Sequence, residues 1–86
     1  MIKHTDLGKN AFERSRRLKK LIDTGGALFG GNLKLKIYGR LDCASGKRMK
    51  VKNRVFFGSE EEAKGLGFRP CGHCMREEYE VWKVAN

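Results

Sequence analysis

The chain has 86 residues, 19 of them Lys or Arg against 10 Asp or Glu, for a formal net charge of +9. That length predicts one domain over residues 1–86, with a core small enough to need a metal, disulfides or a partner to steady it. No stretch is long and apolar enough to cross a bilayer, the start lacks the apolar region of a secretory signal, and an odd cysteine count with a C-x-x-C pair argues against a disulfide framework. The expectation is therefore a cytoplasmic monomer.

From Thr5 or Asp6, either of which could cap it, a helix is predicted to run to about Ile22 and stop at Thr24-Gly25-Gly26. Leu7, Ala11, Leu18, Leu21 and Ile22 form its apolar stripe, and Arg14, Arg16, Arg17, Lys19 and Lys20 cluster opposite. Such a face is most simply solvated charge, and as a group it also suits phosphate.

Ala27-Leu28-Phe29, then Gly30-Gly31-Asn32, then the alternating Leu33-Lys34-Leu35-Lys36-Ile37-Tyr38 read as a hairpin with its turn at the glycines. In that phase Leu33, Leu35 and Ile37 face the core, while Lys34, Lys36 and Tyr38 share the wet face. Residues 39–53 read as an irregular basic loop. Its Ser45-Gly46-Lys47 lacks the spacing of a phosphate loop.

Arg54-Val55-Phe56-Phe57 reads as a central strand. Ser59 then caps a short helix with Glu62 as its capping-box partner and Glu60, Glu61 and Glu62 in the first turn, where the helix dipole favours carboxylates. Gly65 and Gly67 end it. Residues 75–84 form a last helix with Met75, Tyr79 and Trp82 turned inward.

Charge is unevenly placed. Residues 1–56 hold 15 Lys and Arg against 4 Asp and Glu, a net of +11, while residues 57–86 carry a net of −2. An anion-binding face, nucleic acid above all, is expected on the first part of the chain.

All three cysteines lie between Lys36 and Cys74. Two thiols separated by two residues sit on a tight knuckle and can meet one ion, and Cys43 closes a large loop onto it. Cys71-Gly72-His73-Cys74 is also the C-G-H-C of thiol-disulfide proteins, but the pair comes late, the one proline precedes it and Cys43 is left unexplained. Pro70-Cys71-Gly72-His73-Cys74 shares P-C-x-x-C with zinc deaminases, which need a glutamate two residues after the first ligand. Ser45 stands there, so that chemistry is excluded.

Ile37-Tyr38-Gly39-Arg40-Leu41-Asp42-Cys43, Val55-Phe56-Phe57, Glu62-Ala63 and Gly67-Phe68-Arg69-Pro70-Cys71-Gly72-His73-Cys74 resemble the metal-binding domain of Ada, a family named for a bacterial methyl-phosphotriester repair protein. The resemblance implies a small zinc-stapled α+β domain with an N-terminal helix, a small antiparallel sheet and two short C-terminal helices. It also implies one Zn2+ held by four cysteines, one of which accepts a methyl group from DNA. Cys43, Cys71 and Cys74 match three of them. The acceptor falls on Gly39, which has no nucleophile, so the repair reaction is not expected and the chain is not expected to be an enzyme.

Zinc with three thiolates and a neutral fourth ligand carries a formal −1, against −2 with four thiolates, and a less negative cluster repels phosphate less. The charge matches that of the family's methylated, DNA-binding state. The fourth ligand stays open among water, His4 and His73.

The function expected is non-catalytic binding of nucleic acid, duplex DNA foremost, through phosphate contacts from Arg40, Lys47, Arg48, Lys50, Lys52 and Arg69 and with little sequence specificity. The resemblance places such a domain in DNA repair and transcription regulation. The competing expectation is a zinc-stabilised module for an acidic protein partner.

Overall fold

A computed structural model describes residues 1–43 and 49–85. It has five strands, β1 (Ile2–Lys3), β2 (Phe29–Asn32), β3 (Ile37–Arg40), β4 (Arg54–Phe57) and β5 (Arg69–Pro70), and three α-helices, α1 (Ala11–Asp23), α2 (Glu60–Gly65) and α3 (Arg76–Ala85). Short 3-10 turns at His4–Leu7 and Val51–Asn53 complete it. The architecture is α+β, as the sequence predicts.

One sheet holds all five strands in the order β1-β4-β2-β3-β5. The β1/β4, β2/β4 and β2/β3 pairs are antiparallel, as expected, and β5 joins β3 in parallel. A parallel neighbour needs a crossover, which β4 and α2 supply.

Strand β4 is an interior strand, between β1 and β2, and its side chains alternate between two cores. Val55 and Phe57 join Tyr38, Ala63, Phe68 and Met75 on the α2 face. Phe56 joins Leu7 and Ala27 on the other, under Leu18 and Leu21 of α1. Burial on both sides explains why the strand reads as an unbroken apolar run.

The hairpin differs from the sequence reading. Gly30 and Gly31 lie inside β2, and the turn is made by residues 33–36, with Lys36 left-handed at φ 57°. Asn32 closes it, its Oδ1 accepting from the Leu35 N–H (3.0 Å) and its carbonyl from the Lys36 N–H (2.8 Å). The glycine at position 31 is a packing requirement: a Cβ there would lie 2.8 Å from the Phe57 ring.

Because β3 starts only at Ile37, the predicted alternation is out of phase. Tyr38 is fully buried opposite Gly31 and donates its hydroxyl to Glu60 (3.0 Å), whereas Leu35 is 61% exposed. Lys36 places its ammonium over the Phe68 ring at 4.9 Å.

The helix starts also shift. Thr5 and Asp6 fall in the first 3-10 turn, and α1 is capped by Asn10, whose side chain accepts from the Glu13 N–H at 2.8 Å. The Ser59 cap is as expected, accepting from the Glu62 N–H at 3.1 Å, but Glu62 reaches the Gly58 N–H instead of returning to Ser59. Gly67, at φ +88°, turns the chain after α2 in a conformation that side chains resist. In α3 neither aromatic is fully buried, and Met75 just before it is the inward anchor.

Candidate metal centre

Parallel pairing is what assembles the site. Strands β3 and β5 run the same way, so the segments leaving their C-terminal ends, one leading to Cys43 and the other to Cys71, emerge side by side. The Cys71 N–H donates to the Tyr38 carbonyl at 2.8 Å and locks the knuckle to β3.

The Sγ atoms of Cys43, Cys71 and Cys74 all lie within 4.8 Å of one another, and no disulfide joins them. Tetrahedral zinc with Zn–S bonds of about 2.3 Å sets its sulfurs about 3.8 Å apart, which this cluster can reach with small rotations. The backbone already treats the sulfurs as acceptors. The Arg40 N–H points at Cys74 Sγ (3.3 Å) and the His73 N–H at Cys71 Sγ (3.4 Å).

Burial pushes the Cys74 thiol up to about 12, with Cys43 and Cys71 adding to the shift and the Arg40 N–H opposing it. A thiol held in that form is a poor redox nucleophile, and only a cation makes three adjoining thiolates favourable. The donor set therefore fits a single zinc ion.

Among the described residues, no further His, Cys, Asp or Glu donor joins the cluster. His4 is packed elsewhere, edge-on at 5.5 Å to Phe56, which clusters with Leu7 and Ala27. His73 is exposed on the knuckle.

The position the family resemblance assigns to the fourth cysteine is at the cluster: a Cβ on Gly39 would lie 2.7 Å from Cys74 Sγ and 3.0 Å from Cys71 Cβ.

The expected phosphate contacts differ in exposure. Arg40, Lys50 and Lys52 are exposed. Arg69 is half-buried and folded onto α3, its guanidinium 5.1 Å from the Tyr79 ring and 5.7 Å from the Trp82 ring, and it donates to the Pro70 carbonyl (3.0 Å). Lys47 and Arg48 lie outside the described residues, as does the rest of Ser45-Gly46-Lys47.

One feature of the site escapes sequence reading. Gly30 and Gly39 face each other across β2 and β3, and with Arg54 they line a cavity of about 310 Å³ beside Cys43 and Cys71. Two glycines read as turn and loop residues until the register pairs them.

Residues 16–77 match the family described as the metal binding domain of Ada. The chain is also 35% identical over 68 residues to an uncharacterized protein of Methanocaldococcus jannaschii, an alignment covering 79% of this chain and 32% of that protein. The chain thus spans about a third of that relative's length. No solved structure matches it significantly. With the motif residues gathered around one three-sulfur cluster and most of the chain inside the match, this protein belongs to the family of the metal binding domain of Ada.

Proposed function

We propose that the chain is a non-catalytic zinc domain that binds duplex DNA through phosphate contacts, with Cys43, Cys71 and Cys74 as the metal ligands. The observation that carries the reading is the cluster of three sulfurs within 4.8 Å, reached through a chain segment rich in Lys and Arg. Zinc supplies a fixed tie between the Cys43 segment and the knuckle, and folding energy with it. The chain's own residues supply the binding: Arg40, Lys50 and Lys52 stand in solvent, Arg40 at the end of the strand that leads to Cys43, and Lys47 and Arg48 belong to the basic segment that follows Cys43. Arg69 contributes less freely, because its guanidinium is held on the α3 aromatics.

The site's charge favours this role. Gly39 withholds the fourth thiolate, so the cluster carries one negative charge fewer than a four-cysteine site and repels phosphate less. No methyl transfer is required for it to reach that charge. The absence of a nucleophile at Gly39 also argues against repair chemistry.

A gel-shift titration of zinc-loaded protein across salt concentrations tests the proposal, with an acidic polypeptide in a parallel series. Duplex binding that weakens steeply with salt is expected. Binding of the acidic polypeptide in preference to DNA would instead assign the basic surface to a protein partner.

A further inference from the structure

The cavity beside the cysteines raises a question that DNA binding does not answer. It is floored by the Gly30–Gly39 cross-strand pair and bounded by Cys43 and Cys71, so two of the three sulfur-bearing residues line it. Ile37, Leu41 and Met49 make part of its wall apolar. On the same wall stands Arg54, half-buried over the Phe56 ring at 5.2 Å and, among the described residues, without a carboxylate or hydrogen-bond partner. A half-buried guanidinium resting on an aromatic face keeps its donors available to an anion entering the cavity, where Arg40 and Arg69 add further positive charge.

His73 also lines the cavity, but it is exposed on the knuckle and its ring does not join the sulfur cluster. Among the described residues the cluster stops at three thiols, and residues 44–48, Ala-Ser-Gly-Lys-Arg, contain no imidazole, thiol or carboxylate. Gly39 removes the side chain that would close the cluster toward the cavity.

We propose that the fourth zinc position opens into this cavity and takes an exogenous small thiol that carries a carboxylate. The thiolate sulfur completes the donor set, the short alkyl chain lies over the glycine floor against Leu41 and Ile37, and the carboxylate meets Arg54. On binding, a Zn–S bond forms, the water it displaces leaves, and the thiol proton passes to solvent. No redox partner is needed. A soft metal already holding three sulfurs accepts a fourth readily. Arg54 offsets the ligand's carboxylate, while the ligand's thiolate returns the cluster to the formal −2 of a four-thiolate site, so the thiol-free form is the one suited to phosphate. This inference rests on the zinc reading of the cluster.

The experiment loads the full chain with Co2+ in place of zinc and follows the thiolate charge-transfer and ligand-field bands. Binding of one Co2+ per chain with thiolate charge transfer tests the underlying metal site; no binding would sink that site and this inference with it. Titration with mercaptopropionate should then shift the ligand-field bands saturably, and ethanethiol, which lacks the carboxylate, should need at least about tenfold more.

Gly30→Val should fill the cavity while leaving Co2+ binding intact, because a Cβ there meets nothing closer than Leu41 Cδ2 and the Val55 carbonyl at 3.8 Å. Its response to mercaptopropionate should weaken by a similar factor. Arg54→Gln should erase the advantage of mercaptopropionate over ethanethiol. A Co2+-loaded protein whose bands ignore the thiol, which loses its metal to it, or which responds equally in Gly30→Val would overturn the proposal. So would an equal response to inorganic phosphate.

Discussion

A Cβ on Gly39 would sit 2.7 Å from the Sγ of Cys74, closer than such atoms approach in folded proteins. A Cβ at Gly39 and the sulfur of Cys74 therefore cannot both keep these positions, and a side chain at Gly39 must shift the Cys74 sulfur. Gly39→Ala is expected to lower the stability of zinc-loaded protein by about 1–3 kcal/mol, the usual cost of overpacking. That exceeds the few tenths to 1 kcal/mol gained from a stiffer unfolded chain. Urea unfolding of both proteins with zinc in excess measures it, and an unchanged midpoint would mean that the sulfur moves freely.

Gly39→Cys asks the electrostatic question. A fourth thiolate adds one negative charge, and at roughly 8 Å from a phosphate in water that changes the energy by about 0.5 kcal/mol. Duplex affinity of the zinc-loaded variant should fall about twofold at low salt and converge with the parent at high salt. Equal affinity at low salt would refute the charge argument.

Removing the ion should loosen the fold. The three sulfurs come from segments about thirty residues apart in the chain, and in so small a domain the free energy of metal binding is folding free energy. A strong chelator should lower the melting temperature, and added zinc should restore it. Cys71→Ser should lower the melting temperature and make it insensitive to the chelator.

Lys50 and Lys52 are the exposed cations best placed to be tested singly. Each alanine variant should weaken duplex binding regardless of sequence and reduce the slope of log affinity against log salt by about 0.9 for each phosphate no longer neutralised. A weakening confined to one sequence would instead indicate base readout.

His4 makes stability depend on pH. Burial, then Arg54 and Arg14, holds its imidazole below the ordinary value of 6.5. The unfolded chain therefore takes up a proton at His4 before the folded one does. Stability is expected to fall as the solution is acidified below 6.5, and to go on falling until the folded-state value is passed. His4→Phe should flatten that part of the profile when urea midpoints are compared at several pH values. A parallel decline in both proteins would assign the effect to other groups.

Tyr38→Phe isolates one buried hydrogen bond. The hydroxyl gives its proton to Glu60 at 3.0 Å inside an otherwise apolar cluster, so its loss should cost about 1 kcal/mol without altering metal stoichiometry.

What the sequence made legible follows the strength of its local signals. Ser59 with three glutamates announced α2, Val55-Phe56-Phe57 announced an interior strand, and the cysteine spacing announced the cluster. The hairpin misled because Gly30-Gly31 carries the chemistry of a turn, whereas it is Phe57 across the sheet that demands a glycine at position 31. Tyr38 and Leu35 exchanged roles for the same reason, the turn having moved by three residues. Helix α1 is capped by Asn10 rather than by Thr5 or Asp6 because the 3-10 turn tucks His4 and Leu7 into the core first. The cavity could not be read from the chain, since it exists only through the cross-strand pairing of two residues nine apart.

The two-residue strand β5 is the outermost member of the sheet, hydrogen-bonded on one side alone to β3. So short an edge has few bonds of its own to keep it closed, and the cysteines lie just past its end. Metal occupancy would therefore be felt first as opening and closing of this border, while β4, gripped by neighbours on both sides, stays shut. Amide exchange at Arg69 and Cys71 would quicken on zinc loss well before exchange at Val55 or Phe57, making the sheet's edge a gauge of whether the ion is in place.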